Sequence, residues 1–209
     1  MPGVRPRTGL RGPDVPRGAQ GKFGLARVGA QWWTPTAALR FDRLVTGEVC
    51  TRRHMEDFAQ ALGMPASKKY EVRAEQVLQL LGRCAGEDAQ YGFIQRLAFN
   101  VHVGNADAHG KNYSIFLDDH SLTPLYDVVP VALFPAVDQQ LAMKIGGARF
   151  SAEVQPTHWA KLARNTGLDP ERAVHIAQST VLAMLEHTPA NLLGAVENAS
   201  REMTRGMGV

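Results

Sequence analysis

One stretch limits what this 209-residue chain can be more than any other: Gly104 to Asp127, which reads GNADAHGKNYSIFLDDHSLTPLYD. Asp107 and Asn112 lie five positions apart in a loop rich in Gly, Asn and Ala. An apolar, β-prone run follows, Tyr113 to Leu117. A polar tip, Asp118 to Ser121, leads to a short return, Leu122 to Leu125, that ends at Tyr126-Asp127. A loop, a hairpin and a terminal carboxylate in this order can hold a metal–phosphate group.

The chemistry that suits this order is phosphoryl transfer. It asks a protein mainly to orient a hydroxyl, bind Mg²⁺ and offset phosphate charge. Mg²⁺ takes a few hard oxygen ligands and keeps substrate phosphates among them. Asp107 is the candidate base for the acceptor hydroxyl. Asn112 offers Mg²⁺ an uncharged oxygen, and Asp127 a charged one. The Asp-x₄-Asn spacing is that of the protein-kinase catalytic loop, in which the Asn binds Mg²⁺. A downstream Asp after a short hairpin occupies the place of the kinase metal-binding Asp, although Tyr126-Asp127-Val128 lacks the Phe-Gly that usually follows it. His109 and Lys111 lie between, placed to reach a phosphate or to fix the loop. A metal-dependent hydrolase built from Asp107, His109, Asp118, Asp119 and His120 is a competing reading, but these residues have no zinc-type spacing.

Around this stretch the pattern is helical. Met55, Phe58, Ala59 and Leu62 fall on one helical face that stops at Gly63. Val72 to Cys84 and the strongly apolar Gln90 to Val103 repeat the pattern, and the latter runs straight into the Gly104 loop. A buried helix feeding a polar loop gives a site a rigid mount. Val128 to Pro135 reads as an irregular buried segment, because its two prolines exclude a central strand. Gln140 to Ile145 reads as a strand closed by Gly146-Gly147. Helices over Pro156 to Asn165, Pro170 to His187 and Ala190 to Met203 complete the chain. Upstream, Leu39 to Asp42 is a short strand candidate, and Phe23 to Trp33 a weak hairpin around Gly29.

The apolar share of 44% and charged share of 21% are ordinary for a globular protein with a sizeable core. The net charge of +3 owes much to Arg5, Arg7, Arg11, Arg17 and Lys22, which read as a solvated basic arm. Two cysteines without metal or disulfide spacing suggest a reducing compartment. No apolar run approaches the roughly 20 residues that span a bilayer. The expected location is cytoplasmic, with no membrane partner.

At the residues quoted above the chain resembles the HipA family of bacterial serine/threonine kinases, toxins of toxin–antitoxin pairs. Gly104 to Asn112 resembles the family's catalytic loop, and Leu122 to Asp127 its metal-binding segment. Arg40-Phe41-Asp42-Arg43 resembles its hinge strand. Met55 to Gly63 with Lys68-Lys69-Tyr70-Glu71 resembles the helix and loop after it. The resemblance implies a mainly α kinase-type C-lobe with a small β hairpin, preceded by a truncated N-terminal β element. It implies Mg²⁺ and ATP as cofactor and co-substrate, Asp107 as base, and Asn112 and Asp127 as metal ligands. The partners implied are a protein substrate and a helix-turn-helix antitoxin, with DNA reached only through that antitoxin.

A shorter resemblance lies in the arm. Gly18-Ala19-Gln20-Gly21-Lys22, with Trp32-Trp33-Thr34-Pro35 beyond, is similar to the family's ATP-covering loop and the strand after it. This implies nucleotide contacts at Gly18, Gln20 and Lys22, alongside His109 and Lys111. In the family a nucleotide-binding lysine, a further strand and a helix come next. Here Thr36 is followed almost at once by Leu39, so that part of the N-lobe is missing, and Lys22 is the candidate substitute for its lysine. Many members carry a regulatory serine where this chain has Val15. The expected organisation is a flexible basic arm with the remnant ATP-loop motif (1–22), a remnant of N-lobe and hinge strand (23–43), and a helical kinase domain (44–209). Two functions compete: a kinase impaired by the loss of its N-lobe, or an inactive remnant that serves as a partner-binding helical domain.

Overall fold

A computed structural model of the chain describes residues 26–28, 31–33, 41–46, 49–134 and 136–205. Strands β1 (Ala26–Val28) and β2 (Gln31–Trp33) pair antiparallel, in the place expected for a hairpin. Of the strand expected at Leu39 to Asp42, Leu39 and Arg40 lie outside the described residues. Phe41 and Asp42 form a turn, and the strand is β3 (Arg43–Thr46), antiparallel to β4 (Val49–Arg52). Asp42 is buried beneath Arg43 at 2.8 Å and Arg52 at 3.7 Å, which favours a turn over extension at this point.

Met55 is not helical. It opens β5 (Met55–Asp57), and the helix after it, α1 (Phe58–Ala61), has only four residues. Asp57 enforces the switch. Its carboxylate accepts from the Gln60 backbone N–H at 2.9 Å, and the Gln60 side chain accepts from the Asp57 N–H at 3.2 Å. This reciprocal cap fixes the helix start after Met55. Gly63 then turns the chain away at φ +67°, in the left-handed region that favours glycine. A 3₁₀ segment, Ala66–Glu71, leads into α2 (Ala74–Cys84).

Helix α3 (Glu87–His102) carries the core. Tyr91, Phe93, Ile94, Leu97, Ala98 and Val101 are buried along it, and acidic Glu87 and Asp88 sit where the helix dipole favours them. Strand β6 (Ser114–Phe116) pairs mainly with β5, far back in the chain. The expected return strand is reduced to one bridge, Ile115 to Leu122. The 128–135 segment holds a 3₁₀ turn, Val131–Leu133. Of its described residues only Val131 is buried, and Leu133 and Phe134 are exposed, so that expectation of burial fails. Strand β7 (Gln140–Ile145) stands where a strand is expected and ends at Gly146-Gly147; the chain then returns in β8 (Ala148–Phe150), which pairs antiparallel with it.

Helices α4 (Pro156–Thr166), α5 (Pro170–His187) and α6 (Ala190–Thr204) close the domain. Helix α3 packs against α2, α5 and α6, and α4 packs against α5. Trp159, Phe93 and Leu78 are fully buried, each worth about 1.5–3 kcal/mol relative to exposure. The architecture is mainly α. As expected, the β part is small: among the described residues the strands form four two-stranded sheets. Among the described residues no helix is long and apolar enough to cross a membrane.

Candidate active site

The loop after α3 is built as a rigid display for one carboxylate. From Val101 to Gly110 every residue is buried except Asp107, which is exposed. Gly104 makes the first bend at φ +76°, and a Cβ there would meet the Ala132 Cβ at 2.6 Å. The loop is then tied on several sides. The Ala132 N–H donates to the Gly104 carbonyl at 3.0 Å, and the Ala142 N–H of β7 donates to the Ala106 carbonyl at 2.9 Å. Buried Asn105 donates to the Asn100 side-chain oxygen at 2.7 Å, and more weakly to the Asp127 carbonyl at 3.5 Å.

Asn112 and Asp127 are brought together. The Asn112 amide donates to Asp127 Oδ2 at 2.9 Å, while its own oxygen accepts from the His109 N–H at 3.2 Å. Asp127 adopts φ +56°, a left-handed conformation unusual outside glycine and characteristic of sites where the fold holds a residue in place. Tyr126 supports it from the neighbouring position. Its hydroxyl donates to the Lys111 carbonyl at 2.8 Å and takes a hydrogen bond from the Ser114 hydroxyl at 2.5 Å, and its ring stacks on Phe41. Burial pushes the Tyr126 phenol up to about 12, so it remains a donor across the physiological range.

His109 and Lys111 both engage the loop itself. His109 Nδ1 accepts from the Lys111 N–H at 3.3 Å. Burial, then the Lys69 charge, lowers the His109 pKa, which keeps the ring neutral and Nδ1 free to accept. The Lys111 ammonium pairs with Asp57 Oδ2 at 2.6 Å, joining the loop to the cap of α1. Gly110 lies so close to Val72 that a Cβ would meet its side chain at 2.5 Å.

Asp107 itself accepts from the Tyr70 hydroxyl at 2.8 Å, and the Tyr70 ring meets His109 edge-on at 5.1 Å. Partial burial, then the bond to Asp107, raises the Tyr70 phenol to about 12. Tyr70, Asp57, Asn100, Asn105 and Tyr126 have no assigned role in the sequence reading. An asparagine on the buried face of an apolar helix, as at Asn100, was the available signal, because a buried amide demands a partner. Gly18, Gln20 and Lys22 lie outside the described residues.

One amide and one carboxylate, held together, suit Mg²⁺ bound jointly with substrate phosphates. Among the described residues no group of three or more His, Cys, Asp or Glu could hold a metal by itself. The hydrolase cluster is not assembled. Asp118 and Asp119 are engaged by Arg53, at 2.6 and 2.9 Å, and its guanidinium lies over the Phe116 ring.

Comparison with known proteins bears on the family and the fold. Residues 21–188 match the HipA-like C-terminal domain. The Y4mE protein of Sinorhizobium fredii is 35% identical over 158 residues, covering 69% of this chain and 38% of that protein. The serine/threonine-protein kinase toxin HipA of Shewanella oneidensis is 40% identical over 126 residues, covering 51% of this chain and 29% of the toxin. The chain thus spans well under half the length of these relatives. Among solved structures, HipA of Shewanella oneidensis MR-1 in complex with HipB and operator DNA superposes with a TM-score of 0.66. It is 28% identical, over 81% of this chain and 48% of that one. By its sequence match over residues 21–188 and its mainly helical fold, the chain belongs to the HipA-like C-terminal domain family.

Proposed function

We propose that this chain supports Mg²⁺- and ATP-dependent phosphoryl transfer to a serine or threonine hydroxyl of a protein. The observation that carries the reading is the 2.9 Å bond between Asn112 and Asp127, fifteen residues apart, together with the exposed Asp107 five positions before Asn112. In this reading the acceptor oxygen bonds to the γ-phosphorus of ATP. The bond from that phosphorus to the β–γ bridging oxygen breaks and ADP leaves. The acceptor proton passes to Asp107. Asn112 and Asp127 would hold Mg²⁺, which when bound would supply charge to offset the phosphates, and the remaining work is orientation by the rigid loop.

Two further parts of the reading come from kinship. The solved relative is complexed with HipB and operator DNA. A helix-turn-helix antitoxin partner, and DNA contact only through it, are proposed here on that basis, together with a cytoplasmic location. A second reading is favoured by the sequence itself. The short passage from Thr36 to Leu39 leaves no room for the family's nucleotide-binding lysine segment, which argues for an inactive remnant that binds a partner. The two separate in one assay. Labelled γ-phosphate is offered with Mg²⁺ to the parent and to the Asp107→Asn and Asp127→Asn variants, with serine- and threonine-containing peptides. Transfer by the parent and its loss in both variants supports the kinase. Equal, background incorporation in all three supports the remnant.

A further inference from the structure

The mechanism proposed above leaves Tyr70 without a task, yet Tyr70 makes the direct contact to its base. The phenol comes from the 3₁₀ segment Ala66–Glu71, whose backbone departs from helical geometry at Lys68. Its ring is fixed edge-on against His109 and lies 4.8 Å from the Lys69 ammonium. Its hydroxyl reaches Asp107 Oδ1 at 2.8 Å. The residue is nevertheless 54% exposed. A hydrogen bond at such an exposed position contributes little to folding, so stability does not account for a large aromatic held there.

A general base must lie within about 2.6–3.2 Å of the oxygen whose proton it takes. The Tyr70 hydroxyl already meets that requirement at Asp107. We propose that the Tyr70 phenol occupies the acceptor-hydroxyl subsite, standing against Asp107 where the hydroxyl of a serine or threonine side chain binds, and gives way when that hydroxyl enters. This rests on the kinase reading of Asp107. The 3₁₀ segment then forms one wall of the acceptor site, and Tyr70 is a positioning residue. It keeps the carboxylate aimed at a hydroxyl in the empty site and competes with the incoming one. Because the phenol stays protonated well past neutral pH, it donates to Asp107 as an aliphatic alcohol would.

The test has two arms on the full chain. The first needs no phosphoryl transfer. In NMR of ζ-carbon-labelled tyrosine, Tyr70 titrates near 12 in the parent and lower in the Asp107→Asn variant. An unchanged titration overturns the contact. The second uses Tyr70→Phe, which keeps the ring against His109 and removes the hydroxyl. At saturating Mg-ATP the KM for a serine-containing peptide falls several-fold, while Mg-ATP affinity and melting midpoint stay at the parent values. Phosphate appearing on Tyr70 itself in the parent supports the same subsite. An unmoved or raised peptide KM, with transfer still running, removes the subsite and leaves the kinase reading standing. Absence of Mg-ATP binding and of transfer in the parent removes both.

Discussion

Lys111 Nζ and Asp57 Oδ2 lie 2.6 Å apart, joining the catalytic-type loop to the N-cap of α1 across fifty-four residues of sequence. The Asp57 side chain is nearly buried. Lys111→Met should lower stability by about 1–2 kcal/mol, since a nearly buried carboxylate loses its charged partner. Denaturant melts read this directly. If Lys111 serves instead as a phosphate contact, the variant melts like the parent and loses only Mg-ATP affinity.

Gly110 gives a second, steric prediction. An added Cβ would meet the Val72 Cγ2 at 2.5 Å and its Cβ at 2.7 Å, and Val72 is buried in the core. Gly110→Ala should cost about 1–3 kcal/mol by overpacking. Gly63→Ala is a control of another kind, because its Cβ meets nothing and the cost there comes from φ +67° alone. A Gly110→Ala variant as stable as the parent would show that the loop does not sit this close to Val72.

His102 predicts a pH dependence. It is fully buried on α3, and burial pushes its pKa down to about 4 from 6.5. A neutral ring has Nδ1–H donating to the Ala199 carbonyl at 3.0 Å, which ties α6 to α3. The fold therefore favours the neutral form. Its contribution is whole above 6.5 and is lost as pH falls through the window toward 4. The slope from this group approaches about 1.4 kcal/mol per pH unit inside the window. His102→Asn retains a donor for Ala199 and cannot titrate. Urea melts between pH 5 and 7 should be flatter in that variant than in the parent, and equal slopes would contradict the assignment.

Much of this was legible in the amino-acid order, and the exceptions share a cause. Helices α2 to α6 announce themselves because several turns of apolar spacing can only face one core. Met55 misleads because three residues cannot separate a helical period from a strand period. What makes it a strand is pairing with Phe116, far along the chain. The site divides in the same way. Asp107, Asn112 and Asp127 stand out through their spacing within one short stretch. Asp57 and Tyr70 escape because their partners, Lys111 and Asp107, lie 54 and 37 residues away. Single-residue spacing carries no record of such contacts. Arg53 escapes likewise, although its grip on Asp118 and Asp119 decides that the acidic tip is a structural clamp.

The central claim is that Asn112 and Asp127 form a metal–phosphate site. Titration calorimetry of the full chain with Mg-ATP tests it most directly, repeated with ATP in the presence of a chelator and with the Asp127→Asn variant. The account predicts saturable heat for the parent with Mg-ATP, and its loss both on chelation and in the variant. Heat that is absent from the parent, or identical in the Asp127→Asn variant, would contradict it.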